Sequence, residues 1–238
     1  MSQSSSTTPS TLVVLPGLDG TDVFFRPFLA AIPPSIHSVV VSFPQSGAAG
    51  YRELLEVVRE ETAALPAFWV LGSSFSGPLA VLLAASDPGR VRGIVLAASF
   101  LRSPRPDLEP FGFALVGPVV WLLRAARRLP TWVLRRRDDP FRRAKAETWS
   151  RVPVRMLAAR AREVLRVDVR EALGTCPQPV LCVAFADDGV VPGRYSQEVV
   201  DHHHNARLVV LPGGHLAMFE DPHSLAREVA RFVEDGQM

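Results

Sequence analysis

Six short apolar runs punctuate this chain, and longer segments of helical character separate most of them. The runs are Thr11–Leu15, Ser38–Phe43, Phe68–Gly72, Val91–Ala97, Pro179–Phe185 and Ala206–Leu211. Each is rich in Val, Leu, Ile or Phe and is close to continuously apolar. A strand with one wet face would alternate instead, so these read as strands covered on both faces. Such strands are parallel, and parallel neighbours need a crossover between them. Tyr51–Leu65 supplies one: Leu54, Leu55, Val58 and Leu65 recur at helical spacing, with Glu and Arg opposite. Pro78–Ser86, Pro192–Val200 and Pro222–Val233 supply others. Proline stands near their starts, and Asp221 is placed as an N-cap. The pattern predicts an α/β fold, a mostly parallel sheet of about six strands with crossover helices.

One interval breaks the rhythm. Between Ala97 and Pro179 lie about 80 residues without a strand pattern. Helical stretches fall around Phe111–Leu129, Phe141–Trp149 and Val154–Leu165, and Asp168–Leu173 leads back to the sheet. A loop of that length inside a compact domain is normally a functional insertion. The expected organisation is a disordered tail at 1–10, a core at 11–98 and 168–238, and an inserted helical lid at 99–167.

Charge divides along the same boundary. Residues 102–170 hold 17 Arg and Lys against 7 Asp and Glu, a net +10, while the rest of the chain carries −8. Lys145 is the sole lysine. Asymmetry of this kind points to surfaces with different partners. A solvated helical face, an anionic membrane surface, and an acidic acyl carrier or CoA each fit the basic lid. No nucleic-acid partner is expected.

Composition excludes several classes. With 47% hydrophobic and 21% charged residues the chain is no disordered polymer. Its 2 cysteines make neither a disulfide framework nor, alone, a zinc site. The longest apolar stretch, Phe111–Leu123, is too short for a span and is interrupted by Pro118, so no transmembrane segment is expected. The start, MSQSSSTTPS, lacks the basic and apolar regions of a secretory signal, and a cytoplasmic location is expected. Without a P-loop or G-x-G-x-x-G, no nucleotide cofactor is expected, nor any other.

Leu71-Gly72-Ser73-Ser74-Phe75-Ser76-Gly77 ends a strand and opens a helix, the setting of a nucleophile elbow. That turn needs small residues two before and two after the nucleophile. Ser74 is flanked so by Gly72 and Ser76, Ser73 by the bulky Leu71 and Phe75, and Ser76 by Ser74 and Pro78. Ser74 is therefore the expected nucleophile, although G-x-S-x-G would place glycine at 76.

A serine hydroxyl needs a base. Of 6 histidines, His215 follows the last strand in a glycine-rich loop. That is the carboxyl end of the sheet, where sites on parallel sheets gather. The base needs an acidic orienter, and Asp187 or Asp188 after the fifth strand could serve. Oxyanion donors are expected from the Phe75 N–H and, after the first strand, the Leu18 N–H. The His202–His204 run, adjacent in sequence, converges poorly on a metal, and no metal is expected. Cys176 and Cys182 read as packing residues.

These segments carry a resemblance. VVLPGLDGTDVFFRPF, VLGSSFSGPLA, DDGVVP and LPGGHLAMFEDP resemble the oxyanion, elbow, acid and histidine segments of the α/β-hydrolase superfamily, over residues 11–233. The order serine, acid, histidine is that superfamily's. Pro16 stands where many members have His, and the two amino-terminal antiparallel strands of larger members are missing. In the superfamily the acid lies four residues before the proline, which selects Asp188. Size, acid turn and basic lid are similar to the pimeloyl-carrier-protein methyl esterases of biotin synthesis.

The resemblance implies a small lidded serine esterase acting on a small-molecule ester through an acyl-enzyme, with Ser74, Asp188 and His215 catalytic. The lid's Phe111, Phe113, Leu115, Trp121 and Leu122 would line an acyl pocket. An acyltransferase or thioesterase on carrier-linked acyl groups is the alternative, as is a non-catalytic binding protein.

Overall fold

The computed structural model describes residues 9–47, 49–104, 107 and 139–236. Six strands form one parallel sheet: β1 (Ser10–Leu15), β2 (Ile36–Val40), β3 (Phe68–Ser73), β4 (Val91–Ala97), β5 (Val180–Phe185) and β6 (Ala206–Leu211). Their order is β2-β1-β3-β4-β5-β6. The helices are α1 (Arg26–Ala31), α2 (Tyr51–Glu61), α3 (Gly77–Ser86), α4 (Pro140–Arg151), α5 (Val154–Val164), α6 (Arg170–Gly174), α7 (Arg194–His202), α8 (Ala217–Glu220) and α9 (Pro222–Asp235).

The strands read as apolar runs because the pleat sends alternate residues into two different cores. Val13, Leu15, Val70, Ile94, Leu96, Val180 and Cys182 pack on one face with Leu54 and Val58 of α2, Leu79 and Leu83 of α3, and Val199 of α7. Leu12, Val14, Leu71, Val95, Leu181 and Val183 pack on the other with Phe28 of α1 and Leu225, Val229 and Phe232 of α9. Each fully buried Leu or Val contributes roughly 1.5–3 kcal/mol. Helix α3 is apolar nearly all round because it lies between the sheet and α2 and α6.

The expected elements match closely, with two informative shifts. Strand β2 ends at Val40 rather than Phe43. Beyond it the Val41 N–H still donates to Val14 O at 3.1 Å, and the Phe43 N–H then turns to Gly20 O at 2.9 Å. Those residues brace the loop after β1 instead of extending the sheet. Helix α2 ends at Glu61, not Leu65, where the buried Thr62 hydroxyl donates to Val58 O at 2.8 Å.

The described part of the insertion between β4 and β5 includes α4 and α5. Asp139 caps α4 through the Phe141 N–H at 2.9 Å. Among the described residues no helix is long and apolar enough to cross a membrane. The expected acyl-pocket residues Phe111, Phe113, Leu115, Trp121 and Leu122, and residues 1–8 of the expected tail, lie outside the described residues.

Candidate active site

From β1 the chain crosses to β2 on one side and later to β3 on the other. The carboxyl ends of β1 and β3 thus flank the point where the winding reverses, the usual crevice of such sheets. Four loops converge nearby: Pro16–Gly20 after β1, the turn after β3, and the loops after β5 and β6.

At the end of β3, Ser74 adopts φ 52°. A non-glycine residue in the left-handed region costs about 1–3 kcal/mol and persists only where its surroundings impose it. Here the crowding is visible. A Cβ on Gly72 would run into the Ser76 carbonyl and come within 2.9 Å of Ala80 Cβ. The three neighbouring serines separate cleanly. Ser73 is buried, its hydroxyl toward Met218 Sδ at 3.6 Å. Ser76 is fully buried and its Oγ donates to Pro16 O. Ser74 is partly exposed and lies 3.0 Å from His215 Nε2.

His215 Nδ1 lies 2.8 Å from Asp188 Oδ2, while Asp188 Oδ1 accepts the Val190 and Val191 N–H groups at 2.8 and 2.9 Å. Burial is the strongest single influence on Asp188 and opposes its charge. The hydrogen bonds from His215, Val191 and Val190, with the electrostatic attraction of His215, together outweigh it, so its pKa lies below the ordinary value. An ionised Asp188 can only accept, so Nδ1 carries the proton and Nε2 turns a lone pair to the Ser74 hydroxyl. Asp187, in contrast, is exposed, and its backbone N–H donates to Gly213 O at 2.9 Å. That bond fixes the acid turn against the histidine loop.

Phe75 is buried under Tyr51, which stacks on it at 4.8 Å and donates its hydroxyl to Phe75 O at 2.9 Å. The Leu18 N–H meets no acceptor among the described residues. Phe24, Phe141 of α4 and Phe219 of α8 form an aromatic cluster beside the histidine loop, with centroids 5.6–6.0 Å apart.

Two supports escaped sequence reasoning. Ser99, just after β4, donates its hydroxyl to Ser74 O at 2.7 Å, and nothing in its sequence context marks it. His203, in a run of three histidines, is buried: Nδ1 accepts the Asn205 N–H at 3.3 Å and Nε2 donates to Cys176 O at 2.9 Å. Its neighbour His202 turns away to Glu198 O at 2.8 Å, while His204 stacks on His203 at 5.3 Å. Burial pushes the thiols of Cys176 and Cys182 up to about 11 and about 12, which keeps both protonated and unreactive.

Several known proteins are similar to this chain. The chain is 26% identical over 233 residues (84% of this chain, 82% of the other) to a protein of Variovorax paradoxus provisionally named carbamate hydrolase RutD. It is 28% identical over 185 residues (74% and 69%) to the pyrrolizixenacetamide deacetylase of Xenorhabdus hominickii. The enol-lactonase from Burkholderia xenovorans LB400 superposes with a TM-score of 0.77 at 17% identity, covering 97% of this chain and 93% of that one. The profile of the alpha/beta hydrolase family matches residues 12–228, and the chain belongs to that family.

Proposed function

We propose that this hydrolase cleaves carboxylic esters through a covalent acyl-enzyme on Ser74. As Ser74 Oγ attacks the ester carbonyl, its proton passes to His215 Nε2, and Asp188 stabilises the imidazolium. The Leu18 and Phe75 N–H groups hold the oxyanion. His215 then returns the proton to the departing alcohol. Water, deprotonated by the same nitrogen, attacks the acyl carbon, and the collapsing intermediate releases the acid and Ser74. No step calls on a cofactor.

The observation that carries this reading is the continuous relay from Asp188 through His215 to a Ser74 held at φ 52°. A binding protein would gain nothing from that strain. A second reading, an acyl C–N bond as the target, is favoured by the deacetylase and RutD relatives; there Nε2 protonates a departing nitrogen instead.

The test is a panel of p-nitrophenyl esters of graded acyl length, run beside acetamides, carbamates, and acyl-carrier and CoA thioesters. Ester turnover with an acyl adduct on Ser74 is expected. Turnover confined to the nitrogen substrates would select the second reading, and no adduct with any substrate would contradict both. Adding an alcohol during ester turnover separates hydrolysis from acyl transfer by product.

A further inference from the structure

Arg160 sits on α5 in the lid, and no part of it reaches solvent. Burying a guanidinium is costly unless its donors are met. No carboxylate forms an ion pair with it among the described residues. Its partners are backbone carbonyls: Nη1 donates to Leu18 O at 3.1 Å and Asp19 O at 2.9 Å, and Nη2 to Pro44 O at 2.7 Å. The guanidinium also lies 5.4 Å from the Phe43 ring centroid. Only Nε lacks a partner among the described residues. The close fit depends on Gly20, at φ 71°, where a Cβ would come within 2.6 Å of Arg160 Nη1.

The partners are the informative part. Four successive carbonyls in the loop after β1 are held. Ser76 holds Pro16 O, the Gly20 N–H holds Gly17 O at 3.0 Å, and Arg160 holds Leu18 O and Asp19 O. Gly17 O and the Leu18 N–H belong to one peptide plane and point in opposite directions. Holding the flanking carbonyls therefore sets where the free Leu18 N–H aims. The Asp19 carboxylate, bonded to the Thr21 N–H and hydroxyl at 2.6 and 2.8 Å, closes the far side of the loop.

We propose that Arg160 is a positioning residue that reaches from the lid to the loop after β1, keeps the Leu18 N–H aimed at the developing oxyanion, and so ties the seating of the lid to transition-state stabilisation. The inference rests on the acyl-enzyme reading above. Burial lowers the Arg160 pKa to about 10, partly offset by Asp19, so the clamp stays charged across the neutral range. Donors held 1 Å off lose much of their effect on a tetrahedral intermediate while hardly touching ground-state binding.

The test uses Arg160→Met, which keeps the stem without the donors, and Arg160→Lys, which keeps the charge and can reach only part of the set. Active sites are counted with a fluorophosphonate so that rates refer to folded protein. Losing an oxyanion donor outright costs on the order of 10²–10³ in kcat. Loosening one should cost Arg160→Met about 10- to 100-fold per active site, with KM within about two-fold and partial recovery in Arg160→Lys. The Ki of a trifluoromethyl ketone, which binds as a tetrahedral adduct, should rise in the same proportion as kcat falls. A merely structural role lowers Tm and the active fraction and leaves kcat and Ki per site unchanged; that result overturns the proposal, and Arg160→Lys decides it if Arg160→Met does not fold. A wild-type protein inert to both ester and ketone would overturn the esterase reading, and the clamp with it.

Discussion

The sheet and the insertion obey different rules. In the central strands of the sheet, nearly every side chain is placed by burial on one of two faces, and charge is nearly absent. In the insertion, α4, α5 and the turn joining them also bury Val152, Met156 and Ala158, and polar contacts to the core add to that burial. Arg26 of α1 forks onto Glu147 of α4 at 2.8 and 2.9 Å, and Arg151 pairs with Glu147 at 2.6 Å. Among the described residues Arg160 bonds only carbonyls. One region tolerates any apolar residue of similar volume, while the other depends on particular donors. The difference teaches where a substitution should be felt in catalysis, where in stability, and where hardly at all.

The sharpest contrast lies within the core, between adjacent acids. Asp188→Asn should lower kcat on the order of 10⁴, since it disturbs the tautomer of His215. Asp187→Asn should cost less than about 10-fold, because only its backbone engages the histidine loop. Steady-state kinetics on one ester decide it, and a larger loss at Asp187 would break the assignment.

Next in size is the elbow. Gly72→Ala forces a Cβ against Ser76 and Ala80, and overpacking of this kind costs roughly 1–3 kcal/mol. Urea unfolding should show it as a lower midpoint. In the insertion, Glu147→Gln removes exposed ion pairs and should hardly move the midpoint, with any shift vanishing in high salt. A large loss from Glu147→Gln would erase the distinction between the two regions.

Acid should act on the core through Asp188. Its native pKa lies below the ordinary value. Its contribution to stability is therefore complete above the unfolded-state pKa, about 3.9, and is lost as pH falls through the native value. The Tm advantage of wild type over Asp188→Asn should hold above about pH 5 and shrink as pH falls below about 4. A constant advantage would contradict the hydrogen bonding described here.

The smallest expected effect concerns the +10 excess of residues 102–170. If it recruits an acidic carrier, kcat/KM for a carrier-linked substrate should fall as salt rises from about 0.05 to 0.5 M, while a neutral ester responds little. Equal responses would assign the charge to solvation.

Legibility followed the same division. Val91–Ala97 and Ala206–Leu211 match the observed strands residue for residue: the first is buried but for Arg92, and the second, at the sheet edge, keeps an apolar run although it is only partly buried. The turn at Ser74, at φ 52°, was legible because steric crowding there shows in neighbouring residue sizes. Asp188 could be separated from Asp187 only by resemblance, since both precede the same turn. Arg160 could not be found, because an arginine on a helix spaced like a solvated face leaves no trace of the carbonyls it meets. Ser99 and the buried His203 were hidden for the same reason: each bonds a backbone carbonyl distant in sequence, Ser74 O and Cys176 O.

The most direct test of the account is to treat wild-type protein with a fluorophosphonate and locate the adduct by peptide mass spectrometry. The account predicts a single phosphonyl group on Ser74, absent from Ser74→Ala and retained in Ser73→Ala. An adduct on Ser73 or Ser76, or undiminished labelling of Ser74→Ala, would contradict it.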